Sequence, residues 1–225
     1  MKKYINHIKN RPFISEGLLG IMIIIYLYML MSGNDNPYGM VNYGANVHEL
    51  VASGQYWRLL TAIFLHWDFT HILFNGITLY FIGVQLESFF GHTRFLCIFL
   101  LSGIMGNMVS FAFSSNSISA GASTSLFGLF GVYLMLGENF HNNIFIRSLA
   151  RSFSFLIILN IGIDLMMPNV DIYGHIGGLI GGFLYAYVFS LPNNPNISKM
   201  KRVVAFIMVL IISVSMLKIG FSSSY

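Results

Sequence analysis

Apolar residues fall in seven runs along the chain, near 17–32, 71–88, 95–113, 121–137, 149–167, 174–191 and 203–220, parted by short polar or glycine-bearing breaks. Each reaches or approaches the roughly 20 helical residues needed to cross a hydrocarbon core. The pattern predicts an all-α membrane protein, a polytopic helical bundle. The first run has a basic flank, as a signal peptide would. No small-x-small cleavage site follows it, only Ser32-Gly33-Asn34-Asp35, so it is predicted to stay as a span.

The longest connection, 33–70, contains a stretch at 47–64 that is too apolar for a free loop and too charged for a span. Short helices half-sunk in the membrane interface are expected there, with Trp57 at headgroup depth. The polar stretch 192–200 is the one clear hinge. It divides the chain into a membrane core, 1–191, and a linker with a seventh helix, 192–225.

Composition supports lipid as the main surroundings. Charged residues make up 9% of the chain and mean hydropathy is +0.70, whereas soluble domains carry about 25% charged residues. The net charge of +4 does not point to nucleic acid, because the basic residues sit in short clusters between apolar runs. With the N-terminus inside, Lys2, Lys3, Lys9, Arg11, Arg94, Arg147, Arg151, Lys199, Lys201 and Arg202 are cytoplasmic, and only Arg58 and Lys218 lie outside. The positive-inside rule therefore predicts a cytoplasmic N-terminus and an external C-terminus, in a multi-pass protein of the cell membrane. The single cysteine, Cys97, excludes an internal disulfide and any multi-cysteine metal site. The thirteen Met and twenty-one Phe suit helix packing in lipid.

Polar groups within lipid are costly, so each is a functional candidate. In this topology the second, fourth and sixth runs all point inward. His71 and Asn75 open the second, Gly121-Ala-Ser-Thr-Ser125 the fourth, and Tyr173-Gly-His175 the sixth. Chance would scatter such groups over both leaflets; here they share one layer. Ser123 and His175 supply a nucleophile and a base, since neutral imidazole is suited to removing a hydroxyl proton near pH 7. Ser125 lies at the same helix opening. His71 and Asn75, spaced i, i+4, share a helix face and can donate to an oxyanion beside the Ser123 amide. The bland alternatives are a small packing serine, a packed histidine and an interhelical hydrogen-bond clamp. Gly174, Gly178 and Gly182 form one small-residue row, Gly177 and Gly181 a second, and Gly128 and Gly131 are placed to meet them.

Taken together, Trp57-Arg58, His66, His71-Ile-Leu-Phe-Asn75, Gly83-x-x-x-Glu87, Gly121-Ala-Ser123 and His175-Ile-Gly-Gly178 with Gly182 resemble the rhomboid intramembrane proteases. The resemblance runs from the interfacial segment through the sixth span. It implies a rhomboid-like six-span core plus one extra C-terminal span, and a serine endopeptidase that cuts transmembrane segments near the outer leaflet. By the resemblance Ser123 is the nucleophile, His175 the general base, and His71 and Asn75 the oxyanion donors. Trp57 and Arg58 anchor the outer loop, Phe127 stacks on the catalytic histidine, and Glu87 ties loop to helix. No cofactor, metal or nucleotide is implied; the partners are transmembrane protein substrates and the lipid bilayer. Thr124 departs from the family's usual glycine and is expected to put a β-branched side chain beside the oxyanion site.

Other chemistries fit less well. A zinc protease needs His-Glu-x-x-His, but His48-Glu49 is followed by Ala52 where the second histidine would stand. An aspartyl intramembrane protease needs two membrane aspartates, and Asp164 is alone among the spans. A transporter would show internal repeats or broken spans in both halves. The competing class is a catalytically inactive rhomboid-like protein that binds transmembrane helices, a class that typically lacks the serine or the histidine.

Overall fold

The computed structural model describes residues 11–115, 117–167, 170–192 and 197–223. Lys2, Lys3, Lys9 and part of the 192–200 linker lie outside the described residues. Among the described residues six helices are long and apolar enough to cross a membrane: α1 (Phe13–Met31), α5 (Phe69–Phe90), α6 (His92–Phe113), α8 (Ile144–Asp164), α9 (Ile172–Phe189) and α10 (Lys199–Ser222). Between α1 and α5 lie three short helices, α2 (Pro37–Tyr43), α3 (His48–Ala52) and α4 (Arg58–Thr61). The fourth apolar run forms α7 (Ser123–Asn139), 17 residues long and so about 25 Å at 1.5 Å per residue. It packs against α6, α8 and α9, and Leu126, Phe130, Tyr133 and Leu136 are all buried. A helix enclosed by protein needs less hydropathy than one facing lipid, which accounts for its glycines and hydroxyls. Conversely α1, α8 and α10 expose Ile24, Tyr28, Phe155, Ile158, Val203 and Val214 outward. The chain is a multi-pass helical membrane protein.

The largest boundary difference is in α8, which begins at Ile144 rather than Leu149. Asn143 accepts from the amides of Phe145 and Ile146, so a polar cap starts the helix a turn before its apolar run. A two-stranded antiparallel ribbon pairs β1 (Asn46–Val47) with β2 (Ile118–Ser119), an element that the hydropathy pattern does not announce.

The segment between α1 and α5 is fastened by buried polar groups. Arg58 is buried and donates from Nη1 to the carbonyls of Val41 (2.6 Å) and Ala45 (3.0 Å), and from Nε to Gln55 (2.8 Å). Trp57 stays half-exposed with the guanidinium over its ring. Asn107 of α6 donates to the Leu59 carbonyl, and Asn46 donates to that of Asn107.

The two glycine rows of α9 serve two neighbours. A β-carbon at Gly178 would lie 2.0 Å from the Thr124 carbonyl oxygen of α7, and one at Gly182 would lie 1.9 Å from that of Gly128. At Gly177 and Gly181 it would meet Val109 and Met105 of α6. The absent side chains let three backbones touch.

Glu87 ties helix to helix rather than loop to helix. Its buried carboxylate accepts from the amides of Ile14 (3.1 Å) and Ser15 (2.8 Å) and from the Ser15 hydroxyl (2.7 Å), with His92 Nδ1 against the same group. It thereby caps α1, which starts after Pro12 without a side-chain cap of its own. Glu87→Ala is expected to cost about 2–4 kcal/mol, because buried amides lose their acceptor. Denaturation in detergent measures this, and a wild-type midpoint would show the cap to be dispensable.

Candidate active site

Two side-chain caps and one tie between them set the openings of α5, α9 and α7. Asp68 accepts from the His71 amide at 2.9 Å and starts α5. Asp171 accepts from the Gly174 amide at 2.9 Å to start α9, and its other oxygen takes the Ser119 hydroxyl at 2.6 Å. Ser119 lies four residues before Ser123, so this one carboxylate ties the lead-in to α7 to the start of α9. The Gly178–Thr124 approach described above closes the same crossing one turn further in.

The result places His175 Nε2 2.8 Å from Ser123 Oγ. His175 is buried, and the Phe127 ring stacks on its imidazole at 4.2 Å and 12°. Ser125, also at the opening of α7, turns elsewhere. It is fully buried, makes no hydrogen bond, and its hydroxyl occupies the notch at Gly103 of α6.

Gly121 brings in the other two residues. Its φ of 137° lies where side chains are rarely tolerated. A β-carbon there would sit 2.7 Å from His71 Nε2 and 3.6 Å from Asn75 Nδ2. Its amide is held by the Ala62 carbonyl at 2.9 Å. Asn75 is buried and its Nδ2 has no hydrogen-bond partner, so a donor stands ready on the face that meets Gly121. His66 packs edge-on to His71 with ring centroids 5.0 Å apart. Burial, and then the neighbouring His71, push the His66 pKa down to about 3, so it adds no positive charge beside the site at neutral pH.

All four residues singled out from sequence, Ser123, His175, His71 and Asn75, therefore meet around Gly121 and the opening of α7. Thr124 does not lie as expected. Its β-carbon and methyl pack into the α6–α9 crossing at Gly106 and Gly174, so the extra side chain fills a helix contact. Asp164, which the sequence offers only as half of an aspartyl pair, lies with its Oδ2 2.7 Å from His175 Nδ1. Asp164 is alone among the spans as an aspartate, but it is not without a partner. Its signal was a carboxylate at the end of an apolar run, 11 residues before a histidine that opens the next. Short connections bring such ends face to face. Among the described residues no three His, Cys, Asp or Glu side chains converge as ligands of one ion. Chemically, the arrangement offers a hydroxyl against an imidazole, with amide and imidazole donors a few ångströms away.

A family model for the rhomboid domain matches residues 53–192. The chain is 36% identical over 202 residues to the rhomboid protease GluP of Bacillus subtilis, covering 90% of this chain and 39% of that protein. It is 38% identical over 147 residues to the RHOMBOID-like protein 1 of Arabidopsis thaliana, covering 64% of this chain and 37% of that one. With RHOMBOID-like protein 2 of the same plant it shares 36% identity over 182 residues, 76% of this chain and 57% of the relative. The chain thus spans between about two fifths and three fifths of the length of these relatives. The matched region holds Arg58 itself, the glycine-packed crossing of α7 and α9, and all four residues of the site. The chain belongs to the rhomboid family.

Proposed function

We propose that this chain is an intramembrane serine endopeptidase, which hydrolyses peptide bonds within or beside transmembrane segments of other membrane proteins. The observation that carries the reading is the 2.8 Å contact between Ser123 Oγ and His175 Nε2, in a site walled by protein and set at the helix openings. His175 accepts the hydroxyl proton as the serine oxygen attacks the scissile carbonyl carbon. The carbonyl electrons move onto oxygen, and Asn75 Nδ2 and His71 donate to that oxyanion. Collapse expels the amine, which takes the proton from His175 and leaves an acyl-enzyme. Water repeats the cycle and releases the acid.

The distribution of basic residues supports a site toward the outer leaflet of the plasma membrane, with the N-terminus cytoplasmic. Substrate helices hide their carbonyls in hydrogen bonds, so segments that unwind at Gly, Pro or polar residues are the expected substrates.

The direct test is a fluorophosphonate probe on the purified protein, which should label the wild type and fail on the His175→Ala variant. A folded wild type that is not labelled and cleaves nothing would favour the inactive, helix-binding class instead. The oxyanion assignment has its own test. Alanine at His71 or Asn75 is expected to lower kcat by about 10- to 1000-fold with the thermal midpoint little changed. Full turnover in both folded variants would reduce the pair to an interhelical clamp.

A further inference from the structure

Asp164 ends α8 beside Leu165 and Met166, both widely exposed apolar side chains. A carboxylate there is expensive unless something compensates it. The structure supplies one specific partner, His175 Nδ1 at 2.7 Å, with the two side chains 9% and 10% exposed. We propose that Asp164 is a positioning residue for His175, so that Ser123, His175 and Asp164 act as three members of one hydrogen-bonded chain. The proposal rests on the protease reading above and extends it beyond a serine–histidine pair.

Donors and acceptors decide which nitrogen of His175 carries the proton. An ionised carboxylate only accepts, so the hydrogen bond to Asp164 requires the proton on Nδ1. In neutral imidazole Nε2 then carries a lone pair, and that lone pair faces the Ser123 hydroxyl at 2.8 Å. The opposite tautomer would set Nε2–H against the hydroxyl and leave a bare Nδ1 against the carboxylate, two acceptors facing each other. Phe127, stacked on the ring, fixes the ring plane but leaves both nitrogens equivalent as far as the proton is concerned. Asp164 makes them inequivalent. During attack the serine proton passes to Nε2. The imidazolium keeps Nδ1–H on the carboxylate, which stays ionised and offsets the new charge. The proton then leaves from Nε2 to the departing amine, so Asp164 gains and loses nothing.

A purely structural role would look alike in a static picture, since the same bond fastens α8, whose buried side chains are Ala150 and Ile157, to α9. Two measurements separate the roles. The first is the nitrogen-15 histidine spectrum of the wild-type protein in detergent at neutral pH, with the His175 signals assigned by their loss in His175→Asn. Nδ1 protonated and Nε2 bare is the expected result; the Nε2–H form or an even mixture overturns the proposal. The second is Asp164→Asn, assayed on a transmembrane peptide substrate. It should lower kcat by about 10²- to 10⁴-fold with KM within about twofold, slow probe labelling in parallel, and redistribute the His175 tautomers.

Turnover at the wild-type rate, or a loss of kcat with the tautomers unchanged, would make Asp164 a tie between helices and nothing more. A wild type that neither cleaves nor labels, with His175 still in the Nδ1–H form, rejects the protease reading and the catalytic sense of the bond together. A wild type that cleaves beside an equally active Asp164→Asn rejects this inference alone. Because the tautomer is read on the unmodified protein, a variant that fails to fold does not block the test.

Discussion

Ser123→Ala is expected to abolish both proteolysis and fluorophosphonate labelling, a fall of about 10⁴-fold or more in kcat, while Ser125→Ala keeps most of both. Two residues apart on a helix turns a side chain by about 200°, so the two serines cannot face the same partner. Ser123 reaches His175 at 2.8 Å. Ser125 points into α6, where its hydroxyl sits in the notch left by Gly103 without a hydrogen bond. Removing a buried, unpartnered hydroxyl costs little and can stabilise, so Ser125→Ala should fold at least as well as the wild type. Mass spectrometry of the phosphonate adduct decides between them. An adduct on Ser125, with Ser123→Ala still active, would refute the assignment.

Gly178→Ala should also have a large effect, for reasons of space. Its β-carbon would fall 2.0 Å from the Thr124 carbonyl oxygen, against about 3.3 Å for an ordinary carbon–oxygen approach. Backbone cannot rotate out of the way as a side-chain tip can, so α9 must back away from α7 by about 1 Å. His175 rides on α9 and Ser123 on α7, one turn from the clash, and the separation opens the contact between them. A misplacement of that size costs about 100-fold in rate, and overpacking costs about 1–3 kcal/mol of stability. Gly162→Ala on α8 is the control, since nothing lies within 4 Å of its β-carbon. Equal kcat/KM and thermal midpoint in the two variants would show that the crossing is looser than its geometry says.

Much of this arrangement was legible in the chain itself. Hydropathy located the spans because lipid demands long apolar runs. The shared layer of Ser123, His175, His71 and Asn75 followed from counting alternate spans. The glycine rows were legible too, since spacing by four fixes one face of a helix. Other features depend on contacts that one-dimensional patterns do not encode. Asn143 starts α8 earlier than hydropathy suggests, because a cap is a single polar residue. Thr124 looked like an intrusion on the oxyanion site, yet it faces the α6–α9 crossing because Gly106 and Gly174 leave a notch there. Asp164 was set aside as one aspartate where two were wanted. Its partner is a histidine, and only the turn between α8 and α9 makes them neighbours.

Where this polypeptide accepts a change of length follows from the ribbon of Asn46–Val47 and Ile118–Ser119. The exposed turn at His141–Asn142 can take added residues ahead of the Asn143 cap without moving a helix opening. The lead-in to Ser123 cannot. Its register is set at Ile118 by Val47, at Ser119 by Asp171 and at Gly121 by the Ala62 carbonyl. One inserted residue between Ser119 and Gly121 would have to break one of these bonds or push the serine out of step. A short connection before the nucleophile is thus tightly gauged. Epitopes, crosslinkers and fluorescent reporters belong at the turn between α7 and α8.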